Sequence, residues 1–333
     1  MKLTSYKKTT LSTDLLITRA REFGIKVNPL LPNSQFFEFK YKNHSEYLRA
    51  QIFSATNSTA DFILQHKSLT KKFLAINNLT VPKGDVFSVS KITEAIKYAK
   101  KIKFPVVVKP NIGTHGDDVY MDIENSDQLK TTLNMLKNKI EYFVIEHQFK
   151  GKEYRITATN KKVLGITYRV PANVEGDGKS TIAELVKKKN KDPKRGSDYN
   201  YSLIEIVIDN QVKKNLKKHK LSIKSIPKKG EVIYLRNNSN LSTGGDSYDW
   251  TDKAHPSVKK IAVEAIKAIP GLPFAGIDFL TKDITKKQTK NSYIIIEMNE
   301  TPMISMHHFP YSGKQRDAAG EIIKLLFPEL KKK

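Results

Sequence analysis

The 333-residue chain contains no cysteine. That excludes disulfides, thiolate metal sites and a cysteine nucleophile, and it fits a reducing compartment. No apolar run approaches the roughly 20 residues that a membrane span needs. The first residues, Met1 to Lys8, lack the apolar segment of a secretory leader. A soluble, cytoplasmic protein with no membrane partner is therefore expected. No helix-turn-helix, RNA-recognition signature or zinc finger is present, so no specific nucleic-acid partner is expected. Internal repeats and long disordered linkers are absent too. The length suffices for a sizeable core divided into two or three lobes.

Charge of one sign is abundant. Lysine and arginine number 58 against 34 acids, a formal net charge of +24. The lysines concentrate at 187–191, 213–220, 228–229 and 331–333. Such a field favours anionic partners such as nucleotides or acidic peptides. The plainer reading of these runs, a solvated lysine surface, is the preferred one.

Hydrophobic periodicity predicts alternating helices and strands. A helix capped at Ser12 or Thr13 and stopped by Gly24 leads into a strand from Ile25 to Leu31. An α/β lobe runs to about residue 65. Helices follow near 69–77, 92–101 and 127–138, with a turn at Lys83 to Asp85. Strands are expected at 104–109 and 119–123, around a glycine-bearing tip, and at 142–146. Antiparallel strands occupy 153–159 and 163–170. Residues 171–230 read as a basic, loop-rich insertion or lid with one helix near 181–189. A strand at 232–235, a polar loop to Asp246 and a helix at 256–269 complete the pattern.

Chemistry is carried first by the run Ile294 to Asn299, which turns abruptly from isoleucine to Glu297 and Asn299. In a strand, residues i and i+2 share a face. Asp278 stands in a similar apolar segment, 274–280. Three hard oxygen donors suit Mg²⁺, which shares its shell with substrate phosphates. The alternative is a set of strand-end polar groups with local hydrogen bonds. Lys109 ends an apolar strand before Gly113 and Gly116, where a lysine and close backbone amides can meet a triphosphate. Acceptors near Glu146 could pair an adenine amino group, and Glu153 could hold ribose hydroxyls.

The order Lys67, Lys109, Glu146, Glu153, Asp278, Glu297, Asn299 resembles the ATP-grasp carboxylate–amine ligases. Long segments, 169–181, 190–196, 234–246 and 313–316, are similar to the ATP-grasp part of bifunctional glutathione synthetases and cyanophycin synthetases. The resemblance implies an ATP-grasp fold of the α/β (α+β) class. An N-terminal α/β lobe (1–65) would be followed by two α+β subdomains (66–145 and 146–330) that sandwich ATP, the second carrying the lid-like insertion. It implies Lys67 and Lys109 on the phosphates, Glu146 and Phe149 at adenine and Glu153 on ribose. It implies two Mg²⁺ ions, replaceable by Mn²⁺, on Asp278, Glu297 and Asn299. Arg169, Ser242 and Thr243 would face the acyl phosphate, and Arg316 would clamp a substrate carboxylate unless it is a surface ion pair. His307 and His308 are candidates to orient substrate or are packed histidines.

The implied activity is ADP-forming ligation of an amino acid or small-peptide carboxylate to an amine. Alternatives are a non-catalytic nucleotide-binding regulator and a modifier of an acidic peptide or protein. The chain has no counterpart of its relatives' second modules, so action alone, as a homo-oligomer or with a separate partner enzyme is expected. One departure stands out. Asp117 and Asp118 occupy the tip where the family usually has an arginine or apolar residue and then a glycine, and two acids beside a triphosphate repel it.

Overall fold

The computed structural model describes residues 9–31, 34–113 and 118–332. Cα packing groups them into two compact units. One comprises residues up to Ser54, Leu164–Asp252 and those from Thr301; the other comprises Ala55–Val163 and Lys253–Glu300.

In the first unit, helix α1 (Leu11–Glu22) is capped by the Thr10 hydroxyl, which accepts the Thr13 N–H. The expected cap at Ser12 or Thr13 lies inside the helix instead, because Leu11 is already helical. Gly24, at φ +79°, ends the segment as expected. Strands β1 (Lys26–Pro29), β2 (Phe36–Tyr41), β3 (His44–Arg49) and β4 (Ile52–Phe53) form an antiparallel sheet in chain order.

The second unit begins with α2 (Ser58–Gln65) and α3 (Lys67–Ile76). Then come β5 (Gly84–Ser88), α4 (Ile92–Ile102), β6 (Val106–Pro110), β7 (Tyr120–Ile123), α5 (Ser126–Leu136), β8 (Tyr142–His147) and β9 (Lys152–Thr159). The sheet order is β5-β8-β6-β7, and β6 and β7 pair antiparallel on either side of the tip. Helices α4 and α5 bury Ala95, Ala99 and Ile102, and Leu129, Leu133 and Leu136, against Val106, Val108, Phe143 and Ile145 of the sheet. Those spacings of three, four and seven put each set on one helical face.

The chain then supplies β10 (Val163–Val170), β11 (Asn173–Glu175), α6 (Ile182–Lys189), β12 (Arg195–Gly196), β13 (Leu203–Ile204), α7 (Asn210–Lys218), β14 (Val232–Tyr234) and β15 (Asp246–Asp249). Within the first unit β10 pairs with β15, β11 with β14 and β12 with β13. The expected lid segment has a small core of its own: Ala172, Val174, Ile182, Val186, Val212, Leu216 and Ile233. Helix α7 was expected to be loop. It buries only Val212, Asn215 and Leu216 while lysines occupy the rest, so its apolar stripe is too thin to read.

Back in the second unit, α8 (Pro256–Lys267) precedes β16 (Phe274–Thr281) and β17 (Tyr293–Asn299). β16 lies between β9 and β17, antiparallel to both. The first unit closes with α9 (Ser305–His308) and α10 (Ala318–Leu326). Among the described residues no helix is long and apolar enough to cross a membrane.

Candidate active site

Two helical lysines, one turn apart, turn inward from α3. The buried face of this helix is Lys67, Thr70, Lys71 and Leu74. Its first turn is tied to the loop after β6, where the Lys67 N–H donates to the Asn111 carbonyl at 3.1 Å and the Ser68 N–H to Asn111 Oδ1 at 3.0 Å. Lys67 Nζ donates to the Gly113 carbonyl at 2.5 Å. It also stands 4.0 Å from Glu297 Oε2.

Lys109, near the end of β6, and Glu146, on β8, meet in the same unit. Lys109 Nζ lies 2.9 Å from Glu146 Oε2, and Lys71 Nζ donates to Glu146 Oε1. All three side chains are buried. Burial pushes the Lys109 ammonium down to about 8, despite the attraction of Glu297. Lys71 is held well below the ordinary lysine value, first by burial and then by the neighbouring Lys109. Two lysine amines face one carboxylate here.

Asp278 and Glu297 face each other across the β16–β17 ladder, and Asn299 stands two residues beyond Glu297, opposite Gly276. Directly paired residues share a face, as do residues two apart on one strand. The two carboxylates and the amide therefore belong to one face, as expected from the sequence. Arg155 on β9 pairs with Asp278 from the other flank, with Nε 2.6 Å from Oδ1 as an ion-pair contact and Nη2 donating to Oδ2 at 3.3 Å. Asn299 Nδ2 is buried and has no partner among the described residues. No cluster of three acids or imidazoles exists among the described residues, so the donor set is two carboxylates and an amide. That hard-oxygen set, with Asn299 contributing its Oδ1, fits Mg²⁺.

Phe149 follows β8, where its ring lies over Gly151 so closely that a Cβ there would stand 2.8 Å from Cε1. Glu153 is the second residue of β9, opposite Leu280. Gly116 and Asp117 lie outside the described residues. Asp118 adopts a left-handed φ of +53°, a conformation that asparagine and aspartate tolerate better than most. Its Oδ1 accepts from Lys139 at 3.2 Å and from the Tyr120 hydroxyl at 3.3 Å.

The other candidates belong to the first unit. Arg169 is buried on β10, opposite Ser247. Ser242 and Thr243 sit in a 3₁₀ turn (Leu241–Thr243) capped by Asn240 and ended by Gly244 at φ +93°. Sequence reasoning gave no role to the group that anchors this loop. Arg195 donates to the carbonyls of Ile204 at 2.7 Å and Gly244 at 3.2 Å and to Asp246 Oδ1. Lys189 (2.6 Å) and Asn173 (2.9 Å) hold Asp246 Oδ2. Lys189 thus leaves the lysine run to which it was assigned and points inward.

Arg316 is paired with Asp249 at 2.6 Å and Asp252 at 3.0 Å, the ion-pair alternative named above. Both candidate histidines are buried: His307 Nδ1 is 3.1 Å from the Thr167 hydroxyl, and His308 Nε2 accepts the Ala319 N–H at 3.0 Å. Burial holds His308 down to about 4.

Comparison with known proteins identifies the family. Residues 64–187 match the family described as the RimK-like ATP-grasp domain. The chain belongs to the ATP-grasp proteins and has their fold, and the family implies ATP and typically Mg²⁺. It is homologous, across nearly its whole length, to the ATP-grasp part of two kinds of ligase. One relative, the glutathione biosynthesis bifunctional protein of Clostridium perfringens, is 38% identical over 98% of this chain and 42% of its own length. The cyanophycin synthetase of Trichormus variabilis is 32% identical over 95% of the chain and 35% of its own length. The crystal structure of a bifunctional glutathione synthetase from Pasteurella multocida superposes with a TM-score of 0.76 at 34% identity, covering 97% of this chain and 44% of that one. The chain thus spans less than half the length of these relatives.

Proposed function

We propose that the chain is an ATP-dependent, ADP-forming ligase acting on the carboxylate of an amino acid or small peptide. The carboxylate oxygen attacks the γ-phosphorus of ATP, and ADP leaves. An amine then attacks the acyl carbon, and inorganic phosphate leaves as the new C–N bond forms. Negative charge accumulates in the first step and must be neutralised by fixed groups.

The observation that carries this reading is the convergence, within one compact unit, of inward-facing lysines with an oxygen-donor face. Lys67 stands 4.0 Å from Glu297, and Lys109 lies in the neighbouring buried cluster. In this reading Lys67, Lys109 and the backbone from Gly113 to Gly116 hold the phosphates. Glu146 and Phe149 meet the adenine, and Glu153 the ribose. Asp278, Glu297 and Asn299 would hold Mg²⁺, with two ions as the preferred count; a bound Mg²⁺ neutralises phosphate oxygens. Arg155, by pairing with Asp278, holds that carboxylate in place. Arg169 and the Ser242–Thr243 turn are assigned to the acyl-phosphate side. Arg316 could clamp a substrate carboxylate only by exchanging Asp249 or Asp252 for it.

Calorimetric titration with Mg-ATP tests the nucleotide half. Lys109→Ala should weaken binding by about one to two orders of magnitude, the range for losing a hydrogen bond between charged groups. Unchanged affinity would remove Lys109 from the site.

A second reading, modification of an acidic peptide, is favoured by one observation. Residues 171–236 hold 16 lysines and arginines against 8 acids. Asp177, Glu184, Asp192, Asp198, Asp209 and Glu231 all accept backbone N–H groups of their own turns and caps. Lys213, Lys214, Lys217 and Lys218 of α7 remain exposed. A KM for an acidic peptide that rises steeply with salt would support this reading, and a salt-independent KM would remove it.

A further inference from the structure

Lys71 belongs to no part of the reading so far, yet it is one of the more constrained side chains in its unit. A lysine one turn after Lys67 on an amphipathic helix would ordinarily reach solvent. Here the residue is 8% exposed, and its ammonium is spent on Glu146 Oε1. Lys109 takes the other oxygen at 2.9 Å. A third element is shaped to the same carboxylate. Gly84 faces Glu146 across the β5–β8 ladder. A Cβ on Gly84 would stand 2.6 Å from Glu146 Cγ and 2.5 Å from the Ile145 carbonyl. The glycine is there because the Glu146 side chain lies across it; its φ is not in the left-handed range. Helix α3, strand β5 and strand β6 therefore all contribute to one orientation of one carboxylate.

Nucleotide phosphates compete for one of the two lysines. Lys109 cannot give its full charge both to Glu146 and to a phosphate. When it turns to phosphate, a buried carboxylate left alone would be strongly destabilised and would take up a proton. A protonated Glu146 changes its hydrogen-bonding character, because one oxygen becomes a donor. An ionised carboxylate only accepts. It therefore suits the 6-amino group of adenine and repels the 6-oxo group of guanine.

We propose that Lys71 is a positioning residue that keeps Glu146 ionised and aimed while Lys109 engages phosphate, and so sets the preference for an adenine over a guanine nucleotide. This inference rests on the reading above that Glu146 faces the base. Lys71 touches neither nucleotide nor substrate in it; it acts through Glu146.

The test compares the dissociation constants of Mg-ATP and Mg-GTP for the full chain, with thermal unfolding recorded in parallel. Glu146→Gln places a donor and an acceptor at the base and should narrow the GTP-to-ATP ratio by about tenfold or more, the scale of one mispaired charged hydrogen bond. Lys71→Met keeps the stem and removes the charge; it should narrow the same ratio, while Lys71→Arg should retain most of it. The double variant Lys71→Met with Glu146→Gln leaves no stranded charge, and its ratio should equal that of Glu146→Gln alone. If Lys71→Met unfolds, the double variant and Lys71→Arg carry the test. Equal weakening of both nucleotides by Lys71→Met, or a double variant whose effects simply add, overturns the inference. A ratio unmoved by Glu146→Gln overturns instead the reading of Glu146 as the base contact.

Discussion

Replacing Arg195 by methionine removes the central anchor of the loop that ends at Asp246. Methionine keeps most of the apolar stem, so the loss is chiefly electrostatic. The guanidinium bonds Ile204 O at 2.7 Å, Gly244 O at 3.2 Å and the Asp246 carboxylate, all out of contact with water. Removing one member of a buried ion pair costs about 3–5 kcal/mol. Asp246 keeps Lys189 at 2.6 Å and Asn173 at 2.9 Å, which puts the expected loss near the lower end, about 3 kcal/mol. Trp250 is the single tryptophan and lies in the same compact unit. Its fluorescence during urea unfolding therefore reports on that unit directly. The nucleotide residues proposed here belong to the other unit and share no partner with Arg195. Folded Arg195→Met should accordingly bind Mg-ATP within about twofold of wild type, while ligase turnover falls as Ser242 and Thr243 lose their fixed position. A stability loss under about 1 kcal/mol, the range of an exposed ion pair, would show that Arg195 is not the anchor of this loop. Loss of ATP affinity in the folded variant would refute the assignment of this loop to the acyl side.

Gly84→Ala should destabilise the protein by about 1–3 kcal/mol through overpacking and weaken Mg-ATP binding by displacing Glu146. Wild-type affinity would show that the close approach of Gly84 and Glu146 is unimportant. His308 is neutral when folded and held to about 4, so the unfolded chain binds its proton first as pH falls from 6.5. The stability conferred by the neutral ring is complete above that pH and is lost on acidification. The gap between wild type and His308→Gln should shrink by up to about 3 kcal/mol between pH 7 and pH 4, and a pH-independent gap in urea titrations would contradict this. Asp118→Gly relieves a left-handed aspartate and, if the tip holds phosphate as proposed, removes a carboxylate beside it, so Mg-ATP should bind more tightly with a lower Mg²⁺ requirement. Unchanged ATP binding with a higher amine KM would instead assign Asp118 to the amine.

Much of this architecture was legible because it is written in local apolar patterns. The expected runs 104–109, 142–146 and 294–299 hold the strands 106–110, 142–147 and 293–299; periodicity alone puts Glu297 and Asn299 on one face, and the pairing of Asp278 with Glu297 comes from the β16–β17 register. What escaped reading depends on partners far along the chain. Lys71 looks like any surface lysine until Glu146, 75 residues away, is folded against it. Gly84 passed for a turn glycine, yet it opens β5, and the reason for it is the side chain opposite. Lys189 belongs by sequence to a solvated run and by structure to Asp246. Helix α7 was hidden because two apolar residues among lysines carry too weak a period. Lys71, Gly84, Lys189 and Arg195 have roles set by tertiary contact rather than by their neighbours in sequence.

The central claim is that this chain forms an amide or peptide bond at the expense of ATP. The most direct measurement incubates it with Mg-ATP across a matrix of amino acids and γ-glutamyl peptides, recording ADP and phosphate release together with product mass. The account predicts ADP formation that requires both a carboxylate and an amine, a product lighter than its two substrates combined by one water, and loss of both signals in Glu297→Gln with its fold intact. ATP binding without turnover under every pairing, or a Glu297→Gln variant that forms ADP at the wild-type rate, would contradict it.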